Sequence, residues 1–222
     1  MPQQAKSAVR QLARRRQVKA ITKDPDLVRQ RREHLIAAAI RVFIEKGFHD
    51  ATVRDIGRAA GMTQGTIYNY VKSKDDILYL VCDRIVSEYQ EQVRRALDTA
   101  PDAVARVRSM IRAVSEVMYR HQQEILLIYQ DSHLLDRRSR QVILARVEEF
   151  IRMIETILVG ATREAGLPLP SPHLSANILT FVPTIIALRR WSLHPSASHD
   201  DVIAGITTFL MRGLGFPEVA DR

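Results

Sequence analysis

The sequence predicts an all-α protein, on three observations. Apolar residues recur at three- and four-residue spacing through most of the chain. No run alternates apolar and polar side chains at the two-residue period of a strand. Glycine, proline and capping residues punctuate the sequence at intervals of one helix. About nine helices result, divided into a basic arm (1–23), a small helical head (24–74) and a larger helical part (75–222).

The arm holds Lys6, Arg10, Arg14, Arg15, Arg16, Lys19 and Lys23 and no acid. With few bulky apolar residues to offset the cost of ordering, it is expected to be disordered, either lying along a polyanion or serving as a solubilising tail. Asp24-Pro25 pairs a cap with proline at the first helical position, so a helix starts there. It runs to about Lys46, with Ile36, Ala39, Ile40 and Phe43 on one face, and Gly47 ends it. Thr52 caps a short run with Val53, Ile56, Ala59 and Ala60 at helical spacing, closed by Gly61; Thr63 caps another from Gln64 to Tyr70. Ser73 with Asp76 opens a fourth helix to about Leu97, carrying Ile77, Leu78, Val81, Ile85 and Tyr89 inward.

Pro101-Asp102 starts a long helix with Val104, Val107, Met110, Ile111, Val114 and Met118 on its stripe. A break near His121 precedes a short apolar helix over 124–135, and Ser139 to Ala165 forms the next, stopped by Gly166. PLPSPH (168–173) is a loop, because proline is costly in a helix interior. Leu174 to His194 is apolar almost all round, with a kink at Pro183, and Ser198 with Asp201 caps the last helix.

The stretch TVRDIGRAAGMTQGTIYNYVKSK (52–74) has the plan helix, tight glycine turn, helix. That is the arrangement in which a second helix enters the major groove of double-stranded DNA, although a two-helix corner of any all-α protein has it too. Gln64 can bond a base edge bidentately, Thr66 can reach a phosphate or a thymine methyl, Tyr68 and Tyr70 are hydrogen-bonding aromatics, and Lys72 and Lys74 are placed for phosphates. The run AAIRVFIEKGF (38–48) followed by ATVRDIGRAAGMTQGTIYNYVKSKDDIL (51–78) resembles the DNA-binding domain of the TetR/AcrR family of bacterial repressors. The resemblance covers about a quarter of the chain. It implies that Gln64 and Arg54 contact bases while Thr52, Thr66, Tyr68, Tyr70, Lys72 and Lys74 mainly hold the DNA backbone. It further implies a homodimer on a palindromic operator and a small-molecule effector.

Charge agrees with this placement. Residues 1–74 hold 16 Lys+Arg and 6 Asp+Glu, net +10, whereas 75–222 hold 17 and 19, net −2. Electrostatic attraction to phosphates supplies most non-specific DNA affinity. The single cysteine, Cys82, excludes a disulfide scaffold and places the protein in a reducing cytoplasm. No apolar leader or membrane span is read.

Catalytic residues are not expected: no phosphate loop, nucleophile elbow or HExxH is present, and no cofactor is implied. His121, Glu124, Asp131 and His133 lie close in sequence but do not make a metal set by themselves. For the ligand, the helices over 102–194 suit an apolar pocket lined in part by Tyr119 and Tyr129. Arg189, Arg190 and Trp191 can clamp phosphates and stack on a purine, which points to an acyl-CoA thioester among hydrophobic effectors. The same three residues also suit a helix C-terminus or a dimer rim. Dimerisation is expected through 174–194 and 199–213. The reading is a ligand-responsive DNA-binding repressor. The alternative is an all-α carrier of an apolar ligand, or an enzyme, with an incidental basic corner.

Overall fold

The computed structural model describes residues 18–21, 24–98 and 100–216. All regular structure among them is helical: α1 (Pro25–Asp50), α2 (Val53–Ala60), α3 (Gln64–Tyr68), α4 (Lys74–Asp98), α5 (Ala103–Arg120), α6 (Gln122–Asp131), α7 (Arg137–Glu164), α8 (Pro172–Phe181), α9 (Ile185–Leu188), α10 (Arg190–Leu193) and α11 (His199–Gly213), with 3-10 turns at Ser132–Leu134 and Val182–Thr184. The described residues form two compact units, one drawn from those up to 85 with 126–146 and the other from 86–125 with those from 147 onward. The helices α4, α6 and α7 each contribute residues to both.

The caps sit where the sequence puts them. Asp24 Oδ1 accepts from the amides of Asp26 (3.0 Å) and Leu27 (3.2 Å). Thr52 and Asp55 form a reciprocal capping box at the start of α2, and Ser198 and Asp201 another at α11. Asp102 accepts from Ala105 N at 2.8 Å. Such caps satisfy the amides that a helix start leaves orphaned, each contributing about 1 kcal/mol. Gly47, with φ 75 and ψ 160, breaks the helical path inside α1, and Gly61 at φ 62 turns the chain between α2 and α3.

Four expectations are corrected. Most of the expected disordered arm lies outside the described residues, but 18–21 is docked on the first unit. Val18 is buried, its carbonyl accepts from Arg32, and Ile21 N donates to Asn69 O at 2.8 Å. One apolar side chain and paired backbone groups suffice to hold so short a piece. The helix expected over Gln64 to Tyr70 ends at Tyr68, two residues early. The long helix expected from Ser139 starts at Arg137, because Asp136 caps it through the amides of Arg138 and Ser139. The span 174–194 does not merely kink: Pro183 sits in a 3-10 turn, and Arg189 (φ −117, ψ 22) separates α9 from α10.

In the first unit Leu35, Ala39, Phe43, Ile56, Ile67, Val71, Ile77 and Leu78 form the core, with the rings of Phe43 and Phe48 5.2 Å apart. Arg146, 3% exposed, is ion-paired with Asp83. In the second unit Val107, Met110, Val114, Ile154, Leu158, Leu179 and Ile203 are buried, and α5 packs on α11, α9 and the Val182–Thr184 turn.

Gly57 sets how closely α3 can approach α2. A Cβ built there would lie 2.8 Å from Met62 O and 3.1 Å from Ile67 Cδ1. Alanine would gain helix propensity but collide with a backbone carbonyl, so the corner must open. Gly57→Ala is expected to destabilise the protein by about 1–3 kcal/mol, the usual cost of overpacking. Denaturant midpoints check it, and a variant as stable as the parent refutes the close-approach argument.

Candidate nucleic-acid interface and ligand cavity

The helix α3 is short and held from its N-terminus. Thr63 Oγ1 accepts from Thr66 N at 3.1 Å and lies 2.8 Å from Thr66 Oγ1. Ile67 faces inward, fully buried. With that side anchored, Gln64 and Tyr68 stand exposed on the other, and Gln64 Nε2 donates to Tyr68 OH at 3.4 Å. Arg54 and Thr52 at the start of α2 and Lys72 after α3 are exposed as well. Thr52 is engaged in its cap, where its hydroxyl donates to Asp55 Oδ2 at 2.6 Å. A hydrogen bond from Lys46, then those from Thr52, holds the Asp55 carboxyl far below the usual carboxylate range. The outward side chains therefore combine one amide, one phenol and two cations within reach of a polyanion.

Tyr70 and Lys74, by contrast, do not present their side chains for phosphate contact. Tyr70 is only 6% exposed, because the chain turns inward after Tyr68, and its carbonyl accepts from Arg32 Nε (3.1 Å) and Nη2 (2.9 Å). The Lys74 ammonium donates to the carbonyls of Phe48 (2.6 Å), His49 (3.0 Å) and Ala51 (2.8 Å) and sits 4.5 Å from the Phe48 ring centroid. All three of its protons are used at the end of α1. Arg41 likewise donates to Ala59 O at 3.2 Å, and Lys46 pairs with Asp55 at 2.8 Å. Sequence counting cannot separate cations engaged within the fold from unengaged ones.

The residues singled out for a ligand are only partly brought together. Tyr119 and Arg190 line one small cavity of the second unit with Gln122, Ile186, Leu193 and Val202. Tyr119 also meets the His199 ring edge-on at 4.3 Å. Arg189 reaches 6.0 Å from the Trp191 ring, at the outer limit of a cation–π contact, and Trp191 is 71% exposed. Tyr129 is exposed and belongs to the first unit, so it does not share that cavity's unit.

His121 stands at the break between α5 and α6. Its Nδ1 lies 3.2 Å from Glu124 Oε1, and its Nε2 lies 3.0 Å from Glu88 Oε1, off the hydrogen-bond line; Arg120 shares Glu88 at 3.1 Å. Among the described residues no group of three or more His, Cys, Asp and Glu is placed to hold a metal ion. Burial pushes the Cys82 thiol up to about 12, which makes it a core residue and not a nucleophile. No described helix is long and apolar enough to cross a membrane.

A capped two-helix corner with its second helix open to solvent is the geometry of a helix-turn-helix. The profile of bacterial regulatory proteins, tetR family, matches residues 35–79. The HTH-type transcriptional regulator HbdR of Aromatoleum sp. (strain CIB) is 30% identical over 177 residues, covering 79% of this chain and 76% of that one. The chain therefore belongs to the TetR family and is a DNA-binding transcriptional regulator, not an enzyme. Its fold is similar to that of a tetR-family regulatory protein from Rhodococcus RHA1 (TM-score 0.76, 19% identity, 85% of this chain and 99% of that one). It is also similar to AibR, solved in complex with isovaleryl coenzyme A and operator DNA (TM-score 0.67, 20% identity, 81% and 97%).

The His121 cluster makes stability depend on pH. The hydrogen bond to Glu124, and then the contact with Glu88, raise the His121 pKa against the opposing effect of burial. A raised folded pKa stabilises the protein fully below the ordinary histidine value of about 6.5. That share is lost as pH rises through the folded value. His199 is raised too, by Asp200 and Glu116, but its greater exposure screens its share. Between about pH 6 and 8, the denaturant midpoint of the parent is expected to fall more steeply than that of His121→Gln. Parallel slopes would show that the cluster is not coupled to folding.

Proposed function

We propose that the protein is a ligand-responsive repressor: residues 24–74 hold a palindromic operator, residues 75–222 dimerise and take the effector, and ligand binding releases the DNA. The observation that carries the DNA half is the exposed, N-capped face of α3. Gln64 on that face and Arg54 at the start of α2 read bases, while Thr52, Thr66, Tyr68 and Lys72 position the backbone. The rival reading, an apolar-ligand carrier or enzyme, leaves that face without a role.

For dimerisation, Leu174, Ile178, Phe181 and Ile185 recur at helical spacing along α8 and α9, and Phe209 stands out of α11; all are 41–68% exposed. A self-complementary apolar surface of this kind suits an isologous pair, which sets two recognition helices about 34–36 Å apart or a multiple of it. Lysine at Ile178 or Phe209 is expected to yield folded monomers with weakened DNA binding. Sedimentation of the parent as a monomer at micromolar concentration would rule the dimer out.

The effector is an acyl-CoA thioester in this reading. Arg190 with Tyr119 on one cavity, and Arg189 and Trp191 exposed beside it, support a site for phosphates and a purine; AibR was crystallised with such a thioester. The cavity holds about 10 Å³, about what a single water needs, so an acyl chain enters only as the helices part. That coupling is what a population shift requires, with α4 common to both units as its carrier. The test is a gel shift on the DNA upstream of the protein's own gene. The parent is expected to shift it at nanomolar concentration and to lose the shift in salt, and Gln64→Ala to weaken it by roughly 1–3 kcal/mol. Thioesters but not the matching free acids are expected to release the DNA, with Arg190→Ala blunting the release. Absence of a shift refutes the repressor; absence of release by any CoA compound refutes the effector.

A further inference from the structure

Buried polar groups are normally hydrogen-bonded, so orphaned ones point to what is missing. Among the described residues the helix α5 carries two. Ser115 is fully buried, and its Oγ has no partner, not even a carbonyl of the preceding turn. Arg108 is partly buried, and its Nη2 is both enclosed and unpaired. The buried threonines of the second unit behave differently: Thr162, Thr184 and Thr207 donate to Leu158, Phe181 and Ile203 carbonyls at 2.8, 2.6 and 2.7 Å.

The two orphans are not scattered. At 100° per residue, positions 108 and 115 fall within about 20° of each other, and at 1.5 Å per residue they stand about 10 Å apart along the axis. Ile111, fully buried, lies between them on that face. Tyr119, which continues the same stripe, lines the cavity shared with Arg190. Arg108 lines an open groove of about 560 Å³ at the N-terminal end of α5, with Asp102, Val104, Ala105, Ser109 and Glu164. The acids of that groove are already engaged. Glu164 is ion-paired with Arg106, and Asp102 accepts from Ala105 N.

We infer that this face of α5 is a ligand lane. Arg108 receives an oxyanion at the groove, and Ser115 donates to a second oxygen about 10 Å farther along the helix, with the ligand's apolar body lying against Ile111 once the elements packed over that face part. The ligand class is an amphiphilic anion. This rests on the presence of a small-molecule effector but not on the Arg189–Trp191 site. The oxyanion can be a carboxylate or the phosphate of a thioester, which the test separates.

The probe is 8-anilinonaphthalene-1-sulfonate, an apolar body with one anionic group, whose fluorescence is titrated against the full-length parent, Arg108→Gln and Ser115→Ala. Both variants are expected to bind it at least about fivefold more weakly than the parent, a loss of one charged or neutral hydrogen bond. Ser115→Ala removes an unsatisfied hydroxyl, so its melting temperature should match or exceed the parent's. A structural role for Ser115 would lower it. Displacement of the probe by decanoate, decanoyl-CoA and decanol then assigns the anion. An Arg108-dependent advantage over decanol for decanoate points to a carboxylate, and for decanoyl-CoA alone to a phosphate. Equal displacement by all three in the parent, or unchanged probe binding in Arg108→Gln, overturns the inference. Neither result depends on whether thioesters release DNA, so the repressor reading stands or falls separately.

Discussion

The head of this protein depends on one ammonium group. Lys74, the first residue of α4, places all three of its protons on carbonyls at and just past the end of α1, and lies over the Phe48 ring. A helix end leaves its last carbonyls unpaired, and a buried, unpaired carbonyl is expensive. Gly47 aggravates this by breaking the helical path inside α1. The lysine resolves it and in the same contact fixes the start of α4 against the Phe43–Phe48 pair. The corner of α2 and α3 is thereby bounded by two helices whose ends are tied together.

That arrangement divides the head's positive charge into two kinds. Arg32, Arg41, Lys46 and Lys74 are spent on carbonyls or on Asp55, whereas Arg54, Arg58 and Lys72 stand exposed. Cations already bonded within the fold offer fewer donors to a polyanion, so the net +10 of residues 1–74 overstates the donors the head leaves open. Arg32, Arg41 and Lys74 do other work: they pair backbone carbonyls at the turns and helix ends of a small domain.

Much of this was legible because it is local. The caps at Asp24, Thr52, Thr63, Asp102 and Ser198, and the turns at Gly47 and Gly61, each follow from one or two neighbouring residues, and the structure places them there. What the sequence hid is non-local. Nothing adjacent to Lys74 shows that its partners lie 23 to 26 residues earlier, and nothing near Tyr70 shows that its carbonyl is claimed by Arg32. Gly57 reads as an ordinary helical residue until Met62 and Ile67 are set against it. The break of 174–194 was half visible: Pro183 announces a disturbance, but not that the helical path fails again at Arg189.

The ligand-binding part resists sequence reading for a further reason. A DNA head must match one fixed polyanion, so its residues are constrained to a short local pattern. The small cavity of the second unit is walled by residues as far apart as Tyr119 and Arg190, 71 positions from one another. Ser115 looks like any helical serine, and it stands out only once its buried Oγ is seen to have no partner. A hydroxyl left unpaired in a core is a standing cost that a better-packed alanine would remove. Such a cost persists where another state of the protein uses the group. A ligand that satisfies Ser115 and Arg108 in one arrangement of the helices, and not in the other, has the differential affinity that a population shift needs.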